Sequence, residues 1–181
     1  MDNIAIIPAR GGSKRIPHKN VKKFYGKPII LYAIETIKKS KLFKKIVVSS
    51  DDKKIRELVG NYPGIDFIER SPHLCCDITP TSKVIRHVLC DQIQDSEKLY
   101  NFCCCVYPCT PLLKVDHLKA AFRKIKLGSF KYVYPILEYS YPIQRALKRD
   151  SHGAMSFINK HVEKKPTQSF EPRYHDAGQF Y

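Results

Sequence analysis

The chain has 181 residues, 43% of them hydrophobic, and a formal net charge of +15 from 32 Lys and Arg against 17 Asp and Glu. This length and composition suit one globular domain with a core, and they exclude a disordered chain. No apolar run approaches the length of a bilayer span and the N-terminus lacks a signal-peptide pattern, so we expect a cytoplasmic protein with no membrane partner.

Strand-like and helix-like segments alternate along the chain, which predicts an α/β fold with a mostly parallel central sheet. The predicted strands cover residues 3–8, 44–49, 65–69, 101–107 and 131–136. The predicted helices cover 28–41, 81–94 and 115–127, and a short helix follows Asp51 and Asp52. The pattern fades from 138 to 174, which is typical of a lid, an arm or an oligomer contact, and a further strand begins at Tyr174.

The seven cysteines do not follow the pattern of a disulfide framework or a zinc site. Their number is odd, no two have the Cys-x-x-Cys spacing, and Cys103, Cys104 and Cys105 are consecutive in one apolar run. Adjacent residues of a strand point to opposite faces, so these thiols are poorly placed to pair. We therefore expect free thiols in a reducing compartment.

The most informative segment follows the first predicted strand, where residues 8–20 read PARGGSKRIPHKN. Glycines allow the backbone to approach an anion closely, while Arg10, Lys14 and Lys19 supply positive charge. The spacing matches neither a Walker A loop nor a dinucleotide fingerprint. The segment therefore predicts a phosphate-binding loop of another kind.

This string closely resembles the N-terminal signature of the CMP-sialic acid synthetases, the cytidylyltransferase family that activates nonulosonic acids. The resemblance implies a Rossmann-like three-layer sandwich, CTP held by its triphosphate, and Mg²⁺ (or Mn²⁺) as cofactor. It also implies a homodimer in which residues 138–173 form a small protruding dimerisation arm. The whole chain, 1–181, would be a single cytidylyltransferase domain.

Later segments match the same family in order. Ser49-Ser50-Asp51 corresponds to a Ser-Thr/Ser-Asp near the nucleotide, although Asp51 could equally be only a helix cap. Residues 70–77, RSPHLCCD, match Arg-x-x-x-Leu-x-x-Asp. Residues 107–113, YPCTPLL, correspond to Gln-Pro-Thr-Ser-Pro-Leu, with Tyr107 in place of a glutamine that touches the sugar. Residues 139–148, YSYPIQRALK, and 174–181, YHDAGQFY, look like the subgroup that activates pseudaminic acid.

The resemblance implies roles for individual residues. Arg10, Lys14 and Lys19 would be catalytic, neutralising charge on the leaving diphosphate. The nucleotide would be bound by Ala9, Arg10, Gly11, Gly12, Ser13, Lys14, Asn20, Ser50, Asp51, Arg70 and Thr79. The sugar would be bound by Tyr107, Thr110, Gln144, Arg173 and His175. Asp176 is the candidate metal ligand, with Asp51 and Asp77 behind it, because the family's usual ligands lie beyond the point where this chain stops.

The expected reaction is CTP plus pseudaminic acid giving CMP-pseudaminic acid and diphosphate, for surface glycan or flagellin glycosylation. One alternative is CMP-sialic or CMP-legionaminic acid synthesis. Because family members usually continue further, the chain looks C-terminally truncated, and an inactive nucleotide-binding remnant is a second alternative. A net charge of +15 is also typical of a nucleic-acid-binding module. Because no zinc-finger spacing, aromatic RNP string or isolated basic helix accompanies this charge, we expect no nucleic acid partner.

Overall fold

The computed structural model describes residues 2–92 and 100–181. Its strands are β1 (Asn3–Pro8), β2 (Lys23–Phe24), β3 (Lys27–Pro28), β4 (Lys45–Ser50), β5 (Asp66–Glu69), β6 (Phe102–Cys105), β7 (Ile136–Glu138), β8 (Leu147–Arg149), β9 (Met155–Phe157) and β10 (Tyr174–Asp176). Its α-helices are α1 (Ile29–Ser40), α2 (Lys53–Gly60), α3 (Thr81–Arg86) and α4 (Val115–Lys126). No helix within these ranges is long and apolar enough to cross a membrane.

The central sheet has the strand order β5–β4–β1–β6, and every neighbouring pair is parallel. Strand β1 lies inside the sheet, with Ile4 opposite Lys45 of β4 and Cys103 of β6. Its continuous apolar run is typical of a parallel strand that is covered on both faces. The prediction of an α/β fold with a mostly parallel sheet is confirmed.

The core lies on both faces of this sheet. Ala5 and Ile7 of β1 pack in one cluster with buried residues of α1, α2 and α4. Ile4 and Ile6, whose side chains point the other way, pack with Val47 and with Val88, which follows α3. Helices therefore cover both faces of the sheet, as expected for a three-layer sandwich.

Two predicted elements differ from the structure. The helix predicted for 81–94 is α-helical only to Arg86, and His87–Gln92 continue it as a wider π-helical turn; Ile93 lies outside the described residues. The strand predicted for 131–136 is wrong over 131–135. The strand is Ile136–Glu138, because that segment faces an antiparallel ladder partner in β10. Apolar alternation indicates a strand, but the partner decides where the ladder begins.

The chain divides into two compact units, one comprising the residues up to Tyr134 with Gly178–Tyr181 and the other Pro135–Ala177. The second unit contains two antiparallel two-stranded sheets, β7 with β10 and β8 with β9. The strand predicted to begin at Tyr174 is split between them. β10 belongs to the second unit, whereas Phe180 forms an antiparallel bridge with Val106 in the first.

Candidate active site

A cavity of about 950 Å³ lies in the first unit, beyond the carboxyl ends of β1, β5 and β6. Ligands of open α/β sheets bind at this edge, where the loops that follow parallel strands converge. The predicted site residues that line the cavity are Arg10, Ser13, Lys14, Lys19, Asn20, Arg70, Thr79 and Tyr107. The structure therefore brings residues from three separate sequence motifs to one cavity.

The loop after β1 is fixed to the loop after β4. The Gly11 N–H donates to Asp51 Oδ1 at 2.8 Å, while the neighbouring Asp52 caps α2 by accepting from the Lys54 N–H at 2.8 Å. Asp52 is therefore the helix cap, whereas Asp51 holds the loop after β1, residues 8–20, which we call the basic loop. A Cβ atom on Gly11 would lie 2.9 Å from Asp52 Cβ, so glycine is required here for close approach; a Cβ on Gly12 would meet nothing within 4 Å.

Asn20 anchors the far end of the same loop. The residue is only 4% exposed, and its Nδ2 donates to the Arg10 carbonyl oxygen at 2.8 Å. The Cys109 thiol donates to Asn20 Oδ1 at 3.2 Å. Because both polar ends of this buried amide are bonded, Asn20 fixes the Arg10 backbone against the turn after β6.

Arg70 follows β5 and is only 5% exposed. Its Nη2 donates to the Ser49 carbonyl oxygen at 2.9 Å, and its backbone N–H donates to Ser50 O at 2.9 Å. Burial lowers the pKa of the Arg70 guanidinium, against the opposing effect of the Asp51 carboxylate. An arginine nevertheless stays charged at neutral pH, so the cavity has a fixed cation in its wall.

Arg10 and Lys14 converge on one carboxylate. Arg10 Nη1 lies 2.7 Å from Asp77 Oδ1, and Lys14 Nζ lies 2.5 Å from Asp77 Oδ2. The hydrogen bonds from Lys14 and Arg10 hold the pKa of Asp77 below its usual value. Two cations of the basic loop are thus close enough to hold a single anionic group between them.

The lining of the cavity does not fit a resident divalent cation. Asp77 is the one carboxylate among its described lining residues, and both of its oxygens are bound by cations. The described part of the chain also contains no group of three or more His, Cys, Asp or Glu side chains that could hold a metal. A hard cation such as Mg²⁺ prefers carboxylate oxygens, and both oxygens of this carboxylate are already paired with Arg10 and Lys14. The candidate metal ligand, Asp176, belongs to the second unit.

The turn after β6 presents Tyr107 to the cavity. The Tyr107 N–H donates to Gln179 O at 2.9 Å, and its ring packs edge-on against Tyr181, with 5.3 Å between centroids. Thr110 is buried, and its hydroxyl donates to the Tyr107 carbonyl oxygen at 2.9 Å. Thr110 therefore shapes the turn from within.

The remaining predicted residues have other surroundings. Ala9 and Ser50 are buried, and neither they nor Gly11, Gly12, Asp51 and Thr110 line the cavity. In the second unit, Gln144 Nε2 donates to Glu171 O at 3.0 Å, Arg173 forms an ion pair with Glu171 at 3.3 Å, and the His175 ring packs on Tyr139. The roles assigned to these residues stay predictions.

The cavity residues Cys76 and Cys109 were not among the predicted site residues, and Asp77 was predicted only as a reserve metal ligand. Asp77 carried a usable signal, because it closes the Arg-x-x-x-Leu-x-x-Asp stretch that begins at Arg70. Cys109 carried none, since a cysteine after a buried strand is most often an inert core thiol.

Known proteins agree with this architecture. A family model described as Cytidylyltransferase matches residues 4–164. The pseudaminic acid cytidylyltransferase of Campylobacter jejuni subsp. jejuni serotype O:2 is 38% identical over all 181 residues, which is 78% of its own length. The N-acylneuraminate cytidylyltransferase of Escherichia coli O18:K1:H7 is 27% identical over 98% of the chain and 41% of its own length.

A solved structure supports the fold. CMP:2-keto-3-deoxy-manno-octonic acid synthetase complexed with CTP superposes with a TM-score of 0.67 at 15% identity, covering 99% of this chain and 73% of that one. At this identity the likeness establishes the α/β fold alone. The family match, the relative at 38% identity and the basic loop over the cavity lead to one conclusion: the chain belongs to the cytidylyltransferase family.

Proposed function

We propose that this chain transfers the cytidylyl group of CTP to pseudaminic acid, giving CMP-pseudaminic acid and diphosphate. The observation that carries the proposal is the convergence of Arg10 and Lys14 on one anionic group in the cavity beyond the sheet. Paired cations on one loop suit the triphosphate of a nucleotide. The relative at 38% identity, whose name states this activity, supports the choice of sugar.

The proposed chemistry is an in-line displacement at the α-phosphorus. The anomeric hydroxyl oxygen of the sugar forms the new bond to phosphorus, and the bond from phosphorus to the bridging oxygen of the diphosphate breaks. Negative charge builds on the leaving diphosphate, where Arg10, Lys14 and Lys19 would neutralise it. Asn20 would keep the Arg10 backbone in place, so less order has to be gained at the transition state.

Mg²⁺ or Mn²⁺, with Asp176 as its predicted ligand, remains part of the proposal because a divalent cation would offset the charge of the phosphates. None of the residues that line the cavity is assigned to hold it. The sugar roles of Tyr107, Thr110, Gln144, Arg173 and His175 also remain part of the proposal. Free thiols at all seven cysteines fit a reducing compartment, so we propose that the reaction takes place in the cytoplasm.

The test is diphosphate release with a panel of substrates. CTP, UTP and ATP are each supplied with pseudaminic, legionaminic or sialic acid, in the presence of Mg²⁺. We expect diphosphate release with CTP and pseudaminic acid. In Arg10→Ala the rate of release should fall by at least about a hundredfold, as for other groups that stabilise charge in the transition state. Lys124→Ala, an exposed lysine of α4, is the matched control and should retain full activity.

Each other result of the panel has a definite meaning. Release with legionaminic or sialic acid instead of pseudaminic acid would assign the chain to another sugar. CTP binding without release from any sugar would favour the nucleotide-binding remnant. Equal rates with UTP would contradict the assignment of CTP as the nucleotide substrate. Full activity in Arg10→Ala would contradict the role of the basic loop.

We also propose that the second unit joins two copies of the chain. In these 43 residues, Pro135–Ala177, Val162 is the one buried hydrophobic residue, whereas Ile136, Leu137, Tyr141, Ile143, Met155, Ile158 and Tyr174 are exposed. So small a unit cannot bury this apolar surface by itself, and such surfaces mark interaction sites. Light scattering should give the mass of a dimer, and Leu137→Asp should shift it to a monomer. A wild-type monomer at the concentrations used for the assay would contradict the proposal.

A further inference from the structure

The two cations that the proposed function assigns to the triphosphate are already bound by an anion of the protein itself. Asp77 spans both, with one carboxylate oxygen at 2.7 Å from Arg10 Nη1 and the other at 2.5 Å from Lys14 Nζ. A nucleotide that uses these two side chains competes with Asp77 for them, because each oxygen of the carboxylate occupies a direction in which a phosphate oxygen would bind.

The ion pairs of Asp77 with Arg10 and Lys14 are exposed enough to exchange with other partners. The side chains of Asp77, Arg10 and Lys14 are 41%, 37% and 82% exposed, so water can replace either partner at little cost. Asp77 lies in a turn of the cavity wall, which is closed by the bond from the Thr79 N–H to Cys76 O at 3.3 Å and by a contact of 2.7 Å between Cys76 Sγ and Thr79 Oγ1.

We propose that Asp77 is an internal competitor of the triphosphate: it holds Arg10 and Lys14 before nucleotide binds, yields them to the incoming nucleotide, and takes them back as diphosphate leaves. This inference rests on the proposed function for the identity of the anion. Asp77 thereby sets the affinity of the site. It weakens the binding of CTP, and it shortens the time for which the diphosphate product occupies the same cations.

The effect of removing the carboxylate follows from the two ion pairs that are lost. Exposed pairs of this kind are individually weak, and together they correspond to about a tenfold change in affinity. Asp77→Asn keeps the size and polarity of the side chain while removing the negative charge that both cations share. It should lower the Kd of CTP and the KM for CTP about tenfold, strengthen product inhibition by diphosphate by a similar factor, and lower kcat where release of diphosphate limits turnover.

The experiment measures the binding of CTP and of inorganic tripolyphosphate by calorimetry in EDTA, for wild type, Asp77→Asn and Asp66→Asn. Asp66 is the matched control, because it also pairs with a lysine, Lys45 at 3.0 Å, and lies outside the cavity. Loss of its charge raises the net charge of the protein by the same amount. Asp77→Ser is a second variant, and circular dichroism verifies that each protein is folded.

Tighter binding of both probes by the two Asp77 variants, with Asp66→Asn unchanged, supports the inference. Unchanged or weaker binding overturns it, and weaker binding would make Asp77 a group that orders the two cations for the nucleotide. If wild type binds CTP no better than tripolyphosphate while Asp77→Asn still tightens both, the proposed function fails and the inference stands. A wild-type protein that binds neither probe contradicts both.

Discussion

Replacing Gly11 by alanine tests how the basic loop is held. The added Cβ atom would lie 2.9 Å from both Cβ and Oδ2 of Asp52. The Oδ2 atom could rotate away, but Cβ is fixed by the backbone at the start of α2, so either the loop or the helix cap must move. A moved loop breaks the bond from Gly11 to Asp51 at 2.8 Å, and a moved Asp52 loses its bond to Lys54 at 2.8 Å.

Either loss costs about 1–2 kcal/mol of the free energy of unfolding. For a chain of this size that lowers the Tm by roughly 2–8 °C. We expect Gly11→Ala to show this decrease in a thermal melt, together with a Kd for CTP raised about tenfold, since the loop carries Arg10 and Lys14. Gly12→Ala is the matched control, because a Cβ there meets nothing within 4 Å. Equal Tm and Kd in the two variants would refute the reasoning.

Three further predictions concern the wall of the cavity. Asn20→Ala leaves the Arg10 carbonyl without its buried partner, so it should raise the KM for CTP severalfold by freeing the loop, and an unchanged KM would contradict this. The hydrogen bond from Thr79 lowers the pKa of the exposed Cys76 thiol, whereas burial raises the pKa of Cys105 to about 12. At pH 7.5 iodoacetamide should therefore alkylate Cys76 much faster than Cys105, as peptide mapping would reveal, and saturating CTP should slow it; the reverse order would refute the assignment. Arg70→Lys loses a bond to a strand carbonyl and buries a more strongly hydrated cation, so urea unfolding should give a free energy lower by about 1–3 kcal/mol, and an unchanged midpoint would contradict this.

The central sheet could be predicted because its signals are local. The apolar run Ile4–Ile7 has the composition of a strand buried on both faces, and the pattern of Ile30, Ile34 and Ile37 is that of an amphipathic helix. The position of β7 could not be predicted in the same way. Its ladder partner, β10, lies far along the chain, and a local pattern carries no information about the partner's register.

The candidate site likewise has features with a local signal in the sequence and features that depend on contacts between distant residues. Charge density around Arg10 and Lys14 indicated an anion site, because clustered cations are visible in the sequence itself. Their engagement by Asp77 was not visible, since the order of charges along a chain does not specify which of them meet in space. The sequence also left open whether Asp51 or Asp52 caps the helix. The structure decides this, because Asp51 accepts from Gly11 and Asp52 accepts from Lys54. Loop-to-loop contacts of this kind depend on the assembled fold.

The most direct test of the account is a crystal structure of the chain with CTP bound in the absence of sugar. The account predicts electron density for the triphosphate against Arg10 and Lys14, with Asp77 released from both side chains and Arg70 unmoved beneath the nucleotide. Density for the triphosphate elsewhere, or an ion pair between Asp77 and Arg10 that persists at saturating CTP, would contradict it.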